Sequence, residues 1–151
     1  MLAEYDAIAY IKGGDEYPGL YGTVKFRGVS NGTWVDADIK GLPAYQRGDE
    51  TTPQIGPHGF HIHNGSCGGL DFSEADGHFN PDNQHHGNHK GDFPVLFSND
   101  GMAKMMFFTN RFKPEDVIGK AVVIHKSPDD FRTDPAGGSG DKIACGEIVK
   151  E

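Results

Sequence analysis

The sequence lacks a long apolar run, an excess of basic residues and any internal repeat. No apolar segment approaches the roughly 18 residues that a membrane-spanning helix requires. The chain has 14 basic and 22 acidic residues, whereas nucleic-acid-binding proteins usually carry a basic excess. The first ten residues, MLAEYDAIAY, have neither the basic start nor the apolar core of a signal peptide. We therefore expect a soluble chain without nucleic-acid or membrane partners. Its compartment stays open, cytoplasmic as written or extracytoplasmic if a signal was trimmed.

Short alternating segments are abundant and predict an all-β fold. The 151 residues include 22 glycines and 9 prolines, and no long segment repeats apolar residues at a helical period. In the segment WVDADIK, Val35, Ala37 and Ile39 would face one side of a half-buried strand. Eight strands are predicted, at residues 7–13, 21–28, 34–40, 59–64, 94–97, 103–110, 120–125 and 142–149. The fifth and sixth would form a hairpin across the turn SNDG.

Two connections between these predicted strands are too long for simple turns. They span residues 65–93 and 126–141, and loops of such length usually carry function. Residues 113–119 are predicted to hold one helical turn. Because the chain has one domain's length and no linker, we expect a single domain over residues 1–151, folded as a β-sandwich or closed barrel.

The histidines concentrate in one predicted strand and in the long loops. His61 and His63 are two residues apart on a strand, so both imidazoles project from the same face. His125 ends another strand, where the second loop begins. The first loop adds five more candidate ligands: His78, His85, His86, His89 and Asp92. Imidazole and carboxylate ligands suit Zn²⁺ and Cu²⁺ better than Ca²⁺ or Mg²⁺, so the pattern predicts a transition-metal site.

Six short segments, in their order along the chain, resemble the signatures of the copper/zinc superoxide dismutase family. They are HGFHIHN, GHFNP, the HG at His86, HKGD, VVIHKSPDDF and SGDKIACGEI. The resemblance covers most of the chain. It implies the family's eight-stranded Greek-key β-barrel or sandwich, which is immunoglobulin-like, with two long functional loops. It also implies an enzyme that converts superoxide to O₂ and H₂O₂ while copper alternates between Cu²⁺ and Cu⁺.

The resemblance further implies two cofactors, Cu²⁺ and Zn²⁺, and the residues that bind them. The implied copper ligands are His61, His63, His78 and His125. The implied zinc ligands are His78, His86, His89 and Asp92. The shared His78 would bridge both ions as an imidazolate, because both of its ring nitrogens would bind a metal. It would also carry a proton in catalysis.

Four more residues take roles from the same resemblance. Asp129 would link one copper histidine, His61, to one zinc histidine, His86, and so fix both rings. Cys67 and Cys145 would form the internal disulfide, and closing so long a loop would stabilise the fold by about 4 kcal/mol in the chain-entropy model. His58 matches a histidine with a structural role.

The sequence departs from the family pattern in the zinc loop. The spacing between His86 and His89 is much shorter than in the common eukaryotic form. The zinc geometry is therefore less closely implied than the copper geometry. His85 matches no ligand position, but its place beside His86 leaves open an exchange of the two.

A second departure is Lys142, which stands where the family usually has the arginine that attracts the anion beside copper. Lysine keeps the positive charge but loses the planar fork of donors. We expect Lys142 to act in catalysis by guiding superoxide, with Lys126 or Arg132 as further sources of a local positive field.

The histidine pattern has three other interpretations besides a dismutase. A cupin-type site needs a glutamate a few residues after the paired histidines, and the next one here is Glu74. A structural zinc domain would not explain why His61 and His125 accompany the other histidines. A non-enzymatic copper-binding or copper-delivery protein on the same fold is the alternative that stays open, although such proteins often lack ligands. A homodimer is possible, and the oligomeric state is not predicted.

Overall fold

The computed structural model describes residues 4–151 and contains seven β-strands. The strands are β1 (Ala7–Gly13), β2 (Tyr21–Val29), β3 (Gly32–Lys40), β4 (Phe60–His63), β5 (Ala103–Thr109), β6 (Ala121–His125) and β7 (Lys142–Lys150). One helical turn, α1 (Pro114–Val117), and one 3₁₀ turn at Leu70–Ala75 complete the regular structure. The all-β prediction is confirmed, and α1 lies within the predicted helical turn.

All seven strands belong to one antiparallel sheet, in the order β4-β6-β7-β1-β2-β3-β5. The sheet curls so that its two edge strands approach each other through one aromatic side chain. The ring of Phe93 lies 5.0 Å from that of Phe60 on β4 and 4.9 Å from that of Phe107 on β5. Because the sheet curls, side chains from both of its ends share one core.

Alternation along the strands fills this core as the sequence predicts. Val35, Ala37 and Ile39 of β3 are fully buried, and so are Val24 and Phe26 of the neighbouring β2. Burying a large apolar side chain contributes about 1.5–3 kcal/mol, so these positions are a principal source of stability. No helix within residues 4–151 is long and apolar enough to cross a membrane.

The predicted eighth strand at residues 94–97 does not form, and the predicted hairpin with β5 is limited to the turn SNDG, where Asn99 and Met102 exchange two backbone hydrogen bonds. Leu96 instead exchanges two backbone hydrogen bonds with His58, just before β4, as an isolated bridge. β5 pairs with β3. Pro94 lacks a backbone N–H, which limits the ladder that this segment can form. The described residues therefore give seven strands, and the Greek-key arrangement and the single-domain boundary stay predictions.

The disulfide between Cys67 and Cys145 is confirmed, with the sulfur atoms 2.05 Å apart. It joins the start of the first long loop to β7. Ala75, Val123 and the disulfide form a small apolar cluster apart from the main core. This cluster fixes the 3₁₀ turn against β6 and β7, immediately before the loop reaches its first buried histidine.

Candidate metal centre

Strand β4 presents two histidines to the same side of the sheet. Phe60 and Ile62 pack in the core, whereas the intervening positions, His61 and His63, point away from it and are also buried. His125 ends the adjacent strand β6, where a shift in the pairing with β7 occurs between it and Ile124. The pairing of β4 with β6 thus brings three histidines to one place.

The first long loop returns to β4 and lies against it with two short segments. His78 makes an isolated bridge with His63, and Asp92 makes one with His61. The backbone N–H of Ile62 donates to the carbonyl of Gly91 at 2.9 Å. These bridges hold loop residues beside the strand histidines with the regularity of a sheet.

We call the first group of ligands the strand group: His61, His63, His78 and His125. One ring nitrogen from each lies within 4.8 Å of all the others, and Nε2 of His63 is 3.3 Å from Nε2 of His125. Each of these two rings donates its Nδ1–H outward, to the carbonyls of Asp76 and Gly140 respectively, at 2.8 and 2.9 Å. Their Nε2 lone pairs therefore point toward the centre of the group.

The remaining two nitrogens of the strand group are buried without a hydrogen-bond partner among the described residues. They are Nδ1 of His61 and Nε2 of His78. Burial lowers the pKa of His125 to about 4 and that of His63 to about 2, and it lowers the pKa of His61 in the same direction. The rings of His61, His63 and His125 are thus neutral at neutral pH, as a metal ligand must be. Four convergent lone pairs, two of them otherwise unsatisfied, fit a metal ion.

We call the second group of ligands the loop group: His78, His86, His89 and Asp92. Nδ1 of His78 lies 3.0 Å from Oδ1 of Asp92 and 3.1 Å from Nδ1 of His89. The same Oδ1 lies 3.3 Å from Nδ1 of His86 and 3.4 Å from Nδ1 of His89. A tetrahedral ion with ligands at about 2.0–2.1 Å has ligand–ligand edges of about 3.3 Å. These four distances, of the six edges in a tetrahedron, lie close to that value, so the group fits a tetrahedral metal ion.

A tight turn allows this convergence despite the short spacing between His86 and His89. Oδ2 of Asp92 accepts hydrogen bonds from the backbone N–H groups of Gly87 and His89, at 2.8 and 2.9 Å. Gly87 has φ +94°, and a Cβ there would overlap the carbonyl oxygen of Phe131. Glycine is therefore required where the turn passes under the second long loop.

Asp129 connects the two groups through the ring nitrogens that are not candidate ligands. Its Oδ2 accepts from Nε2 of His61 at 2.6 Å, and its Oδ1 accepts from Nε2 of His86 at 2.7 Å. All three side chains are fully buried. Each bond fixes the proton on Nε2 and leaves Nδ1 free to bind a metal. The link between His61 and His86 is the one that the sequence resemblance implies for Asp129.

His85, the possible substitute for His86, lies outside both groups. Its side chain is 93% exposed, and its Nδ1 lies 2.8 Å from Oδ2 of Asp134. The other oxygen of Asp134 accepts the backbone N–H of His86 at 2.8 Å. Asp134 therefore holds His85 outward and orients His86 inward. His58 is buried and donates from Nδ1 to the carbonyl of His125 at 2.9 Å, a structural role.

Lys142 is the predicted cation that the structure brings beside the strand group. It pairs with His125 across β6 and β7, and its charge contributes to lowering the pKa of that histidine, after burial and the proximity of His78. Lys126 is instead buried and paired with Glu16 at 2.7 Å, which raises the pKa of the lysine. Arg132 is exposed on the second loop.

Two supporting residues were not predicted from the sequence. Asp134 is one, and Arg111 is the other: its guanidinium donates to the carbonyls of His89 and Gly87. Both residues bind backbone atoms, and such contacts leave no spacing pattern in a sequence. The only signal was that Asp134 is a charged residue in a long connection; Arg111, between β5 and α1, gave none.

A curled antiparallel sheet with two buried ligand groups that share one histidine defines a binuclear metalloprotein. Comparison with known proteins then identifies its kind. The family model for copper/zinc superoxide dismutase matches residues 20–148, and the chain belongs to this family. The family and the two buried groups give copper and zinc as its cofactors.

The individual relatives are moderately similar. A Cu-Zn superoxide dismutase of Deinococcus radiodurans is 34% identical, with 87% of this chain and 79% of the relative covered. One of Legionella pneumophila is 35% identical over the same shares. The crystal structure of a superoxide dismutase-like protein from Bacillus subtilis superposes with a TM-score of 0.74 at 26% identity, covering 93% of this chain and 96% of that one.

Proposed function

We propose that the chain catalyses the dismutation of superoxide, in which two superoxide ions and two protons give O₂ and H₂O₂. The observation that carries the proposal is the position of His78 between the two groups. Its Nδ1 belongs to the loop group, and its Nε2 is buried without a partner in the strand group. A single imidazole therefore presents one ring nitrogen to each ligand group, and would be shared by the two ions that these groups would hold.

In this proposal the strand group binds copper and the loop group binds zinc. Four imidazole nitrogens suit copper in both of its oxidation states. Three imidazoles and a carboxylate oxygen with tetrahedral edges suit zinc, which has no redox chemistry. Bound copper would supply a one-electron redox couple.

The protein's own groups would then manage protons and geometry. His78 would hold a proton at Nε2 when that atom is not bound, and would pass it to the reduced substrate, which leaves as H₂O₂ after two protonations. Asp129 would keep the rings of His61 and His86 in register during this exchange.

Lys142 would attract the substrate anion. A groove of about 410 Å³ lies beside it, and the groove lining also includes Asp15, Glu16, Asp71 and Asp141. These carboxylates repel an anion, and the whole chain has a net charge of -8. A lysine at this point would provide the local attraction that the rest of the surface lacks.

The rival function is a copper-binding or copper-delivery protein without turnover. Another relative, from Bacillus subtilis and 33% identical, is named only as superoxide dismutase-like. The strongest support for an enzyme against this rival is that a side chain of the expected type stands at every ligand position and that His78 belongs to both groups.

The test is to measure metal content and superoxide consumption on the same sample loaded with copper and zinc. We expect one ion of each per chain and rapid turnover. The matched control is His85→Ala, which removes an exposed histidine from the zinc loop and should change neither quantity. Bound copper and zinc without turnover would favour the carrier. Sedimentation of the same sample would test for the homodimer.

A further inference from the structure

Arg111 connects the core of the protein to the turn that carries the loop group. It lies two positions after the last residue of β5, and its neighbour Phe112 is buried in the core. The hydroxyl of Thr33 on β3 donates to the carbonyl of Phe112 at 2.7 Å in a buried hydrogen bond. The backbone of Arg111 is thus anchored on a rigid part of the fold, outside both long loops.

The guanidinium reaches across to the zinc loop with two donors. Nη1 donates to the carbonyl of His89 at 2.7 Å, and Nη2 donates to the carbonyl of Gly87 at 3.3 Å. Within residues 4–151, no carboxylate lies within 4.0 Å of this guanidinium, so its donors are directed to these carbonyls. Arginine suits this task because its planar fork can serve two acceptors at fixed geometry, whereas a lysine ammonium acts as a point charge.

The same two residues are also bound from the opposite side. The N–H groups of Gly87 and His89 donate to Oδ2 of Asp92, whose Oδ1 belongs to the loop group. The turn is therefore held by its N–H groups through a candidate ligand and by its carbonyls through Arg111. Since only two residues separate His86 from His89, a small rotation of this turn would move both rings away from a common point.

We propose that Arg111 is a positioning residue for zinc, fixing the turn at residues 87–89 so that Asp92 and the flanking histidines converge on one ion. This inference rests on the proposed zinc role of the loop group. Arg111 would not act on the strand group, which is held by β4 and β6. Groups that orient metal ligands typically contribute 10- to 100-fold in affinity, and we expect about that effect here.

The experiment withdraws zinc from the copper- and zinc-loaded full chain with a competing chelator, for wild type, Arg111→Met and Arg111→Lys. Methionine keeps an apolar stem without donors, and lysine restores the charge and a single donor nitrogen without the planar fork. We expect the zinc dissociation constant to rise by about 10- to 100-fold in Arg111→Met and by less in Arg111→Lys. Cobalt(II) placed in the zinc position should show an altered visible spectrum in Arg111→Met. The matched control is Arg27→Met, which removes an exposed arginine from β2.

The possible outcomes distinguish the positioning role of Arg111 from the proposed zinc role of the loop group. If the zinc dissociation constant and the cobalt spectrum of Arg111→Met are unchanged, the positioning role is overturned. Equal weakening of copper and zinc, with a lower melting temperature of the metal-free protein, would also overturn it, because that result describes general loss of structure. If Arg111→Met does not fold, Arg111→Lys must show weaker zinc binding with copper binding retained. A wild-type chain that binds no zinc would instead refute the assignment of the loop group.

Discussion

The strand group and the loop group share His78 but are built in different ways. The strand group takes three ligands from the sheet, where His61 and His63 alternate with core residues and His125 ends the neighbouring strand. The loop group takes its other ligands from a connection without regular strands. Its geometry depends on hydrogen bonds between the loop backbone and three side chains. Asp92 and Asp134 accept from backbone N–H groups, and Arg111 donates to backbone carbonyls.

This difference shows how the ligand side chains of each group are held in position. A strand places ligands by its period of two residues, and the ladder that sets the period also stabilises the fold. A loop must obtain the same precision from side chains that bind its backbone. Removing any one of those side chains would therefore disturb the position of the ligands. We therefore expect copper binding to tolerate changes in the loops better than zinc binding does.

The largest effect should come from removing the residue that both groups share. His78→Ala leaves His61, His63 and His125 to hold copper but removes the proposed proton carrier and one zinc ligand. Because general acid catalysis contributes about 10²- to 10⁴-fold, superoxide turnover should fall by about 1,000-fold. Pulse-radiolysis rates on copper-loaded protein would measure this. Full activity with His78→Ala would refute both the bridge and the mechanism.

The disulfide should contribute next, because it anchors the start of the loop to β7. Replacing both Cys67 and Cys145 with serine should lower the free energy of unfolding by about 4 kcal/mol, since the two cysteines are 78 positions apart. Denaturant titration of the metal-free protein without reductant would measure the loss. Reduced wild type should behave like the double variant. An unchanged unfolding midpoint would contradict the role assigned to the bond.

A smaller effect that is specific to the loop group should follow from Gly87→Ala. The positive φ and the contact with the Phe131 carbonyl oblige the turn to move, so zinc affinity should fall by about 10-fold while copper affinity stays unchanged. Gly77→Ala is the control in the same loop, because its added methyl group would meet nothing within 4 Å. Competition with a zinc chelator would measure both. Equal losses of copper and zinc in Gly87→Ala would remove the distinction between the two groups.

The contrast between strand and loop also explains what the sequence could predict. The spacing of His61 and His63 showed that both face one side, because alternation in a strand is a local property. The turn at Gly87 and the outward position of His85 depend on Phe131 and Asp134, which lie more than 40 residues further along the chain. The wrong eighth strand has a similar cause. Residues 94–97 have a strand-like composition, but their partner was His58 rather than the adjacent β5.

The smallest effect should come from Lys142, which would act on the approach of substrate rather than on either ligand group. Lys142→Ala should reduce kcat/KM at low ionic strength by about 2- to 10-fold and should flatten its dependence on salt, because one attracting charge is lost. The difference should fade as the screening length falls from about 10 Å at 0.1 M salt to about 3 Å at 1 M. Lys142→Arg should retain most of the rate, since it keeps the charge. Lys40→Ala, an exposed lysine at the end of β3, changes the net charge equally and is the control. A loss that is equal in both alanine variants would assign the steering to overall charge, whereas a loss that persists at 1 M salt would mean that Lys142 contacts the substrate directly.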